Sequence, residues 1–252
     1  TFIQRHFYLI DSEFALPYSI GIGDFNGDNR LDLFIVNIGP LNFGLLLGYG
    51  NGTFHDPIMN STFSFSSISF ALCDYNKDNR LDEIIINNMT NSIDILKGYF
   101  QGFLLSTYLD INYRSIFVTL NDLNKDTILD MIIISNINNT IIILLGKNDG
   151  SFRYLIEYLT DSNPSSLALN DLNNDTNIDI VVTNTDSHNI YIFFGNGNGT
   201  FQTQQIYSTG INPTSVAIAD FNHDYQLDIV VTNYGNNSVS IFLGYDNGYF
   251  TN

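Results

Sequence analysis

A nine-residue pattern, Asp-x-Asn-x-Asp-x-x-x-Asp, recurs five times in this chain at offsets of 50, 48, 49 and 49 residues. So regular a period excludes most folds. Each copy must build the same supersecondary unit, and the units must bury their apolar faces against one another. The copies place Asp24, Asn26, Asp28 and Asp32 in the first loop and Asp74, Asn76, Asp78 and Asp82 in the second. Asp122, Asn124, Asp126 and Asp130 form the third, Asp171, Asn173, Asp175 and Asp179 the fourth, and Asp220, Asn222, Asp224 and Asp228 the fifth.

Three carboxylates and an amide oxygen within nine residues repel one another unless a cation sits among them, and hard oxygen donors at alternate positions suit Ca²⁺. The charge is distributed accordingly. The net charge is −17, from 26 acidic and 9 basic residues. Fifteen of the acids are motif aspartates, so the rest of the chain sets 11 acids against 9 bases and is nearly neutral. Five Ca²⁺ ions would bring the total to −7. The acidity belongs to the loops and not to an acidic tail. No basic patch meets phosphates, so nucleic acid is not an expected partner.

With 252 residues, 44% of them hydrophobic, the chain has enough apolar side chains for a large core in one domain, 1–252. Its apolar runs, such as Met131–Ile134 and Ile141–Leu145, have the length of strands and fall far short of the ~20 residues that cross a bilayer. No membrane insertion is expected within this segment. The chain starts on Thr1 and has no signal-peptide pattern, which reads as a mature or excised segment. The single cysteine, Cys73, excludes an internal disulfide.

The fourth repeat shows the unit most clearly. Leu167–Asp171 alternates as a short strand, and the nine-residue loop follows. Ile178–Thr183 is β-branched and apolar on both faces, hence a buried strand. The turn cluster Asn184–Asn189 leads to a third strand, Ile190–Phe194, then to the glycine-rich turn Gly195–Gly199 and a more polar fourth strand, Phe201–Ser208. A Pro-x-Ser turn opens the next unit at Pro213, as at Pro17 and Pro164. Four antiparallel strands every ~49 residues is the content of a propeller blade. The first strand carries a large residue two before the first motif Asp (Ile22, Leu72, Leu120, Leu169, Ile218) and mostly small residues beside it, as blades converging on an axis require. The expected fold is all-β: a five-bladed β-propeller of four-stranded antiparallel blades. Thr1-Phe2 aligns with Thr200-Phe201, so residues 2–10 read as a fourth strand that completes the last blade and closes the ring, hiding its edges. The rivals are a flat sandwich and a fragment of a larger ring.

Asp24-Phe-Asn-Gly-Asp28 and Phe194-Gly-Asn-Gly-Asn-Gly-Thr-Phe201 resemble the FG-GAP repeat, the integrin-alpha-type or VCBS repeat, and the likeness extends over essentially the whole chain. It implies β-propellers with Ca²⁺ in the loop between the first and second strands of a blade. The implied ligands are side chains at loop positions 1, 3, 5 and 9 and the backbone carbonyl at position 7. Position 7 is Arg30, Arg80, Ile128, Asn177 or Gln226, a variety that suits a backbone-only role. The family favours Gly at position 6, where this chain has Asn29, Asn79, Thr127, Thr176 and Tyr225. Asn tolerates a left-handed backbone, whereas Thr and Tyr do so at a cost, so the first two sites are expected to bind best. The second repeat departs further. It lacks one residue of the glycine turn, and Glu83 stands where the others have Leu33, Met131, Ile180 and Ile229. Glu83 reads as a strand-end carboxylate reaching water, with an extra ligand as the alternative.

The expected function is a non-enzymatic, extracellular binding or adhesion module stabilised by up to five Ca²⁺. Weak sites would need the ~10⁻⁴–10⁻³ M Ca²⁺ of extracellular modules. Asn-x-Ser/Thr patterns at Asn51, Asn60, Asn88, Asn138, Asn174, Asn198 and Asn236 mildly favour a secreted glycoprotein. Metal loops and glycine turns share one face. The opposite face carries the variable segments Ile38–Asn42, Asn88–Ser92, Asn136–Asn139, Thr185–Asn189 and Tyr234–Asn237, where a protein or glycan partner is expected to bind a monomeric propeller. A lectin is the alternative, with Tyr18, Tyr191 or Tyr234 stacking on sugar rings. An accessory propeller of a secreted enzyme is the third reading. His6, His55, His188 and His223 occupy unrelated repeat positions and form no zinc set. The chain shows no Ser/His/Asp set and no phosphate loop, so no catalytic residue and no organic cofactor are expected.

Overall fold

The computed structural model describes residues 7–9, 16–37, 43–60, 67–87, 90–99, 102–111, 114–245 and 248–251. They form five four-stranded antiparallel sheets, one per repeat. The first holds β1 (Pro17–Gly23), β2 (Asp32–Asn37), β3 (Phe43–Leu46) and β4 (Ile58–Asn60). The second holds β5 (Ser67–Cys73), β6 (Asp82–Asn87), β7 (Ser92–Tyr99) and β8 (Gly102–Asp110). The third holds β9 (Ser115–Asn121), β10 (Asp130–Ser135), β11 (Thr140–Gly146) and β12 (Phe152–Leu159). The fourth holds β13 (Pro164–Asn170), β14 (Asp179–Asn184), β15 (Asn189–Phe193) and β16 (Gln205–Ser208). The fifth holds β17 (Pro213–Ala219), β18 (Asp228–Asn233), β19 (Ser238–Tyr245) and β20 (Tyr249–Thr251). Among the described residues the helical content is one 3-10 turn, Tyr234–Asn236. The all-β, five-bladed expectation holds. Residues 2–10, expected to close a ring, lie outside the described residues except for 7–9, as do the variable segment 38–42 and parts of 88–92.

The chain divides into two compact units, Thr1–Val118 and Thr119–Asn252, with the boundary inside β9. In the first unit, Phe34, Val36, Phe43 and Leu45 of one sheet pack with Ile85 and Leu96 of the next. In the second, Val181, Ile190, Ile192 and Phe194 pack on Val216, Ile229, Val231 and Phe242. These cores form because the second strand of each repeat is apolar on both faces: β6, β10 and β14 are buried at every residue. Packing against a neighbour on each side is what a two-faced apolar strand demands.

The Pro-x-Ser segments are not free turns. In four repeats the first strand begins with a bulge, between Pro17 and Ser19, Ser67 and Ser69, Pro164 and Ser166, and Pro213 and Ser215. Proline fits the first residue of a strand, where a missing N–H does little harm.

A tyrosine ties each of three fourth-strand segments, residues 7–9, β12 and β16, to a later sheet. The Phe201 N–H donates to the Tyr158 hydroxyl at 2.8 Å, and the rings meet edge-on with centroids 5.6 Å apart. Tyr207 meets Phe250 in the same way, at 5.8 Å and 88°. Tyr8 repeats the arrangement in the first unit: Phe54 N–H donates to its hydroxyl at 2.8 Å, and the rings cross at 84°. Each tyrosine lies six residues beyond a phenylalanine, Phe152, Phe201 or Phe2. Tyr8 therefore occupies the place of a preceding fourth strand.

Glu83 does not reach water. It is fully buried, its Cα partners are Leu72 and Leu96, and neither carboxylate oxygen has a hydrogen-bond partner. Burial alone pushes its carboxyl well above the usual range. Burying such a group without a partner costs a few kcal/mol at most sites. Glu83→Met, which installs the Met131 side chain of the third repeat, is expected to stabilise the protein by about 2 kcal/mol and raise the melting temperature by roughly 4–8 °C. Differential scanning calorimetry of the two proteins checks it; an unchanged or lower melting temperature would contradict it.

Candidate metal centre

Each nine-residue loop joins the first strand of a sheet to the second, and all five share one hydrogen-bond pattern. The carboxylate at position 1 gathers the loop's own amides. Asp24 Oδ2 accepts from Asn29 N at 2.7 Å and Oδ1 from Asp28 N at 3.1 Å. Asp74, Asp122, Asp171 and Asp220 do the same with the amides at positions 5 and 6 of their loops. The Asn at position 3 accepts from the amide at position 5 through Oδ1, at 3.0 Å for Asn26 and 2.9 Å for Asn76. Asn124, Asn173 and Asn222 repeat this contact. The Asp at position 5 accepts from position 7: Asp28 from Arg30, Asp78 from Arg80, Asp126 from Ile128, Asp175 from Asn177 and Asp224 from Gln226. The position-7 amide is thus engaged whatever its side chain is.

The last aspartate is built differently. Asp32, Asp82, Asp130, Asp179 and Asp228 open the second strand of their sheets and are fully buried. Oδ2 accepts the amide at loop position 2, from Phe25, Tyr75, Leu123, Leu172 or Phe221. Oδ1 accepts an amide sixteen residues further on, from Gly48, Gly98, Gly146, Gly195 or Gly244, at 2.7–2.9 Å. Burial raises Asp82, Asp130 and Asp179 to about 6, against the pull of these amides, and the other carboxylates of each loop add to the rise. Asp32 is shifted in the same direction.

Those five glycines were legible in the sequence, but their purpose was not. The glycine-rich turn suggested positive φ, which holds for Gly197 and Gly199. Gly195 and its counterparts serve another need. A Cβ on Gly48, Gly98, Gly146, Gly195 or Gly244 would overlap the carbonyl oxygen of Leu31, Leu81, Leu129, Ile178 or Leu227. Only glycine brings its amide that close to the buried aspartate.

Position 6 is left-handed in every loop, with φ of 62° at Asn29, 63° at Asn79, 70° at Thr127 and Thr176, and 67° at Tyr225. Position 4 is left-handed too, at Gly27, Lys77, Lys125, Asn174 and His223, a requirement the sequence did not reveal because glycine stands there only once. In the second unit, neighbouring loops touch: Lys125 Nζ donates to Thr176 Oγ1 at 2.9 Å, and Asn174 Nδ2 to Gln226 Oε1 at 3.4 Å.

The donor set is all oxygen, carries three carboxylates per loop, and fits a hard cation in chemistry. Among the described residues no group of three His, Cys, Asp or Glu side chains is arranged to hold an ion as it stands. The oxygens are turned onto the loop amides instead, so an ion would draw the side chains at positions 1, 3 and 5 toward a common centre. Glu83 is adjacent to Asp82 on β6, and successive side chains of a strand leave opposite faces, so it does not join the loop set. The Cys73 thiol is pushed up to about 12 by burial and by the carboxylates around it, which leaves it inert.

The sequence matches the FG-GAP-like repeat over residues 17–85, 122–182 and 171–231, more than half of the chain. The chain belongs to the FG-GAP-like repeat family. No curated protein matches it. Among solved structures, a protein from Lactobacillus plantarum is similar with a TM-score of 0.69 and 14% identity, over 93% of this chain and 69% of that one. The periplasmic gluconolactonase PpgL of Pseudomonas aeruginosa gives 0.65 and 12%, over 90% and 67%. An Agrocybe aegerita lectin, described for recognition of non-reducing terminal N-acetylglucosamine, gives 0.60 and 18%, over 94% and 66%. This FG-GAP chain spans about two thirds of the length of these structures. At such identities the likeness establishes the fold. No helix among the described residues is long and apolar enough to cross a membrane.

Proposed function

We propose that this FG-GAP chain is a calcium-stabilised binding module without catalytic machinery, acting outside the cell as one domain of five blades. The observation that carries the reading is the invariance of the loops. All five keep the same amide cradle, and the left-handed position 6 is kept even by Thr127, Thr176 and Tyr225. Ordinary Asx turns need neither the fourth-position aspartate nor that strain. Ca²⁺ would bind the side chains at positions 1, 3, 5 and 9 and the carbonyl at position 7, and would supply the positive charge that three crowded carboxylates lack.

Isothermal titration with Ca²⁺ tests the reading. Several sites in the ~10⁻⁴–10⁻³ M range are expected, and a flat titration at millimolar Ca²⁺ would overturn it. Within that set, the strained fifth loop is expected to improve when its position 6 is freed. Tyr225 is almost fully exposed, so Tyr225→Gly removes little packing. It should tighten the fifth site by roughly 1 kcal/mol, about fivefold. An unchanged affinity at the fifth site would argue against strain as the cause of its weakness.

The partner is expected on the ends of the blades opposite the cation loops, where Asn136–Asn139, Thr185–Asn189 and Tyr234–Asn237 differ between repeats. A glycan partner is the second reading, favoured by the lectin among the similar folds and by the exposed Tyr234 ring in one of these loops. A glycan array separates the two: a sugar hit lost in Tyr234→Ala supports a lectin, and a blank array supports a protein partner. Lactonase chemistry has only fold likeness behind it.

A further inference from the structure

In the second unit, the turn between the second and third strands of a sheet ends on a left-handed residue. It is Asn139 in the third repeat and His188 in the fourth, with φ of 53° and 56°. The two lie 49 residues apart and do the same structural task. The carbonyl oxygen of Asn139 accepts from Thr160 N at 2.8 Å, and that of His188 from Thr209 N at 2.9 Å. Their side chains reach the segment that opens the following sheet. Asn139 Oδ1 accepts the amide of Asn163 at 2.9 Å, and His188 Nδ1 the amide of Asn212 at 3.1 Å. The anchored segments then hold the next turn. Asn163 O accepts from Thr185 N at 2.9 Å, Asn212 O from Tyr234 N at 2.9 Å, and Ile211 O from Gly235 N at 2.8 Å. Each anchor thus ties one turn to its neighbour along the same end of the sheets.

The two anchors differ in chemistry. An amide oxygen accepts at every pH. An imidazole nitrogen accepts only while it holds a lone pair, and a protonated histidine donates from both nitrogens. A second partner stands ready for that proton: Thr185 O lies 3.1 Å from the same Nδ1. One nitrogen cannot serve both contacts, because the lone pair suits Asn212 N–H and an N–H suits Thr185 O. Histidine is the side chain that changes charge between pH 5 and 8. The titratable groups on the segments around the ring are Asp186 in its own turn, Asp161 before β13, Tyr191 on β15, Tyr207 on β16 and Tyr234 in the next turn. Hydrogen bonds from Asn189 and Ser187 hold the Asp161 carboxyl below the usual carboxylate range, so it stays charged across that window. Burial raises the phenols of Tyr191 and Tyr207, which stay neutral. Asp186 Oδ1 accepts from Asn163 Nδ2 at 3.3 Å.

We propose that His188 is a pH-operated latch between the turns of the fourth and fifth repeats. In the neutral ring Nε2 carries the proton, Nδ1 accepts from Asn212, and the latch is closed. The ring is exposed, so the switching proton comes from solvent. Placed on Nδ1, it turns that nitrogen to the Thr185 carbonyl, and the Asn212 amide loses its acceptor. Because Asn212 O holds Tyr234 N, the release reaches the turn Tyr234–Asn237. Acid thus loosens the turn of the fifth repeat, while that of the fourth keeps its Asn139 anchor. This goes beyond the proposed binding function and does not depend on calcium occupancy.

Amide hydrogen exchange by NMR tests it, as protection factors of Asn212 and Tyr234 at pH 7.5 and 5.0 in the wild type and in His188→Asn. Protection is expressed relative to Asn163, whose anchor does not titrate. On acidification the wild type is expected to lose about fivefold of its relative protection at Asn212, the worth of one hydrogen bond, and a smaller part at Tyr234. His188→Asn installs the anchor of the third repeat at a left-handed position that asparagine tolerates. It should keep Asn212 protected at both pH values. Equal relative protection of Asn212 at the two pH values in the wild type overturns the proposal. An equal acid loss in His188→Asn overturns it as well, because that variant retains Asp186, Asp161 and every loop aspartate and would place the cause among them.

Discussion

Removing calcium with EGTA is expected to lower the melting temperature of this protein by ten degrees or more. The charge arithmetic sets the scale. Each loop concentrates three carboxylates, and the buried one is already raised to about 6 in three of the five repeats, mainly by desolvation. An ion bound only by the folded loop stabilises by RT ln(1 + [L]/Kd), about 1.4 kcal/mol at the tenfold excess that millimolar Ca²⁺ gives over a Kd of ~10⁻⁴ M. Four sites occupied at that excess would contribute roughly 5 kcal/mol, which in a chain of this size corresponds to about 10–20 °C. The measurement is a thermal melt followed by circular dichroism, with Ca²⁺ titrated back after the chelator. Superimposable curves with and without EGTA would remove the cation from the account of stability.

Asp179→Ala is expected to be severely destabilising even in EGTA. Asp179 is a structural acceptor as well as a proposed ligand. Its two oxygens hold the amides of Leu172 at 2.8 Å and Gly195 at 2.8 Å, and it is fully buried. Truncation leaves two buried donors without an acceptor, at about 1–3 kcal/mol each, so a loss of roughly 3–5 kcal/mol is expected. Asp175→Ala, in the exposed part of the same loop, should cost far less in EGTA and show its main effect only with Ca²⁺ present. Urea denaturation of both variants in both buffers gives the comparison. Equal losses for the two in EGTA would show that the buried aspartate has no special structural role.

These two predictions mark where the sequence was transparent and where it was not. The period exposed the five sheets, because a buried two-faced strand such as Ile180–Val182 leaves an unmistakable apolar run beside an acidic loop. The left-handed backbone at position 6 was inferred from family glycines and is present at Asn29, Thr127 and Tyr225. The matching conformation at position 4 went unseen because Lys77, Lys125 and His223 give no local hint of positive φ. Glu83 misled for a different reason: a carboxylate at a strand end normally reaches water, and only packing on Leu72 and Leu96 reveals that this one does not. The division of labour among the loop aspartates was also hidden. Four acceptor residues look alike in sequence, and it takes the amide of a glycine sixteen residues away to set the last one apart.

The tyrosine contacts give the repeats a direction. Tyr158 secures Phe201, Tyr207 secures Phe250 and Tyr8 secures Phe54, always from an earlier segment onto a later sheet. A proteolytic nick before Tyr207 is expected to loosen its contact with Phe250 while leaving Phe201, held from upstream by Tyr158, in place. A growing chain benefits from the same asymmetry, because each new sheet emerges to find its fastening already made.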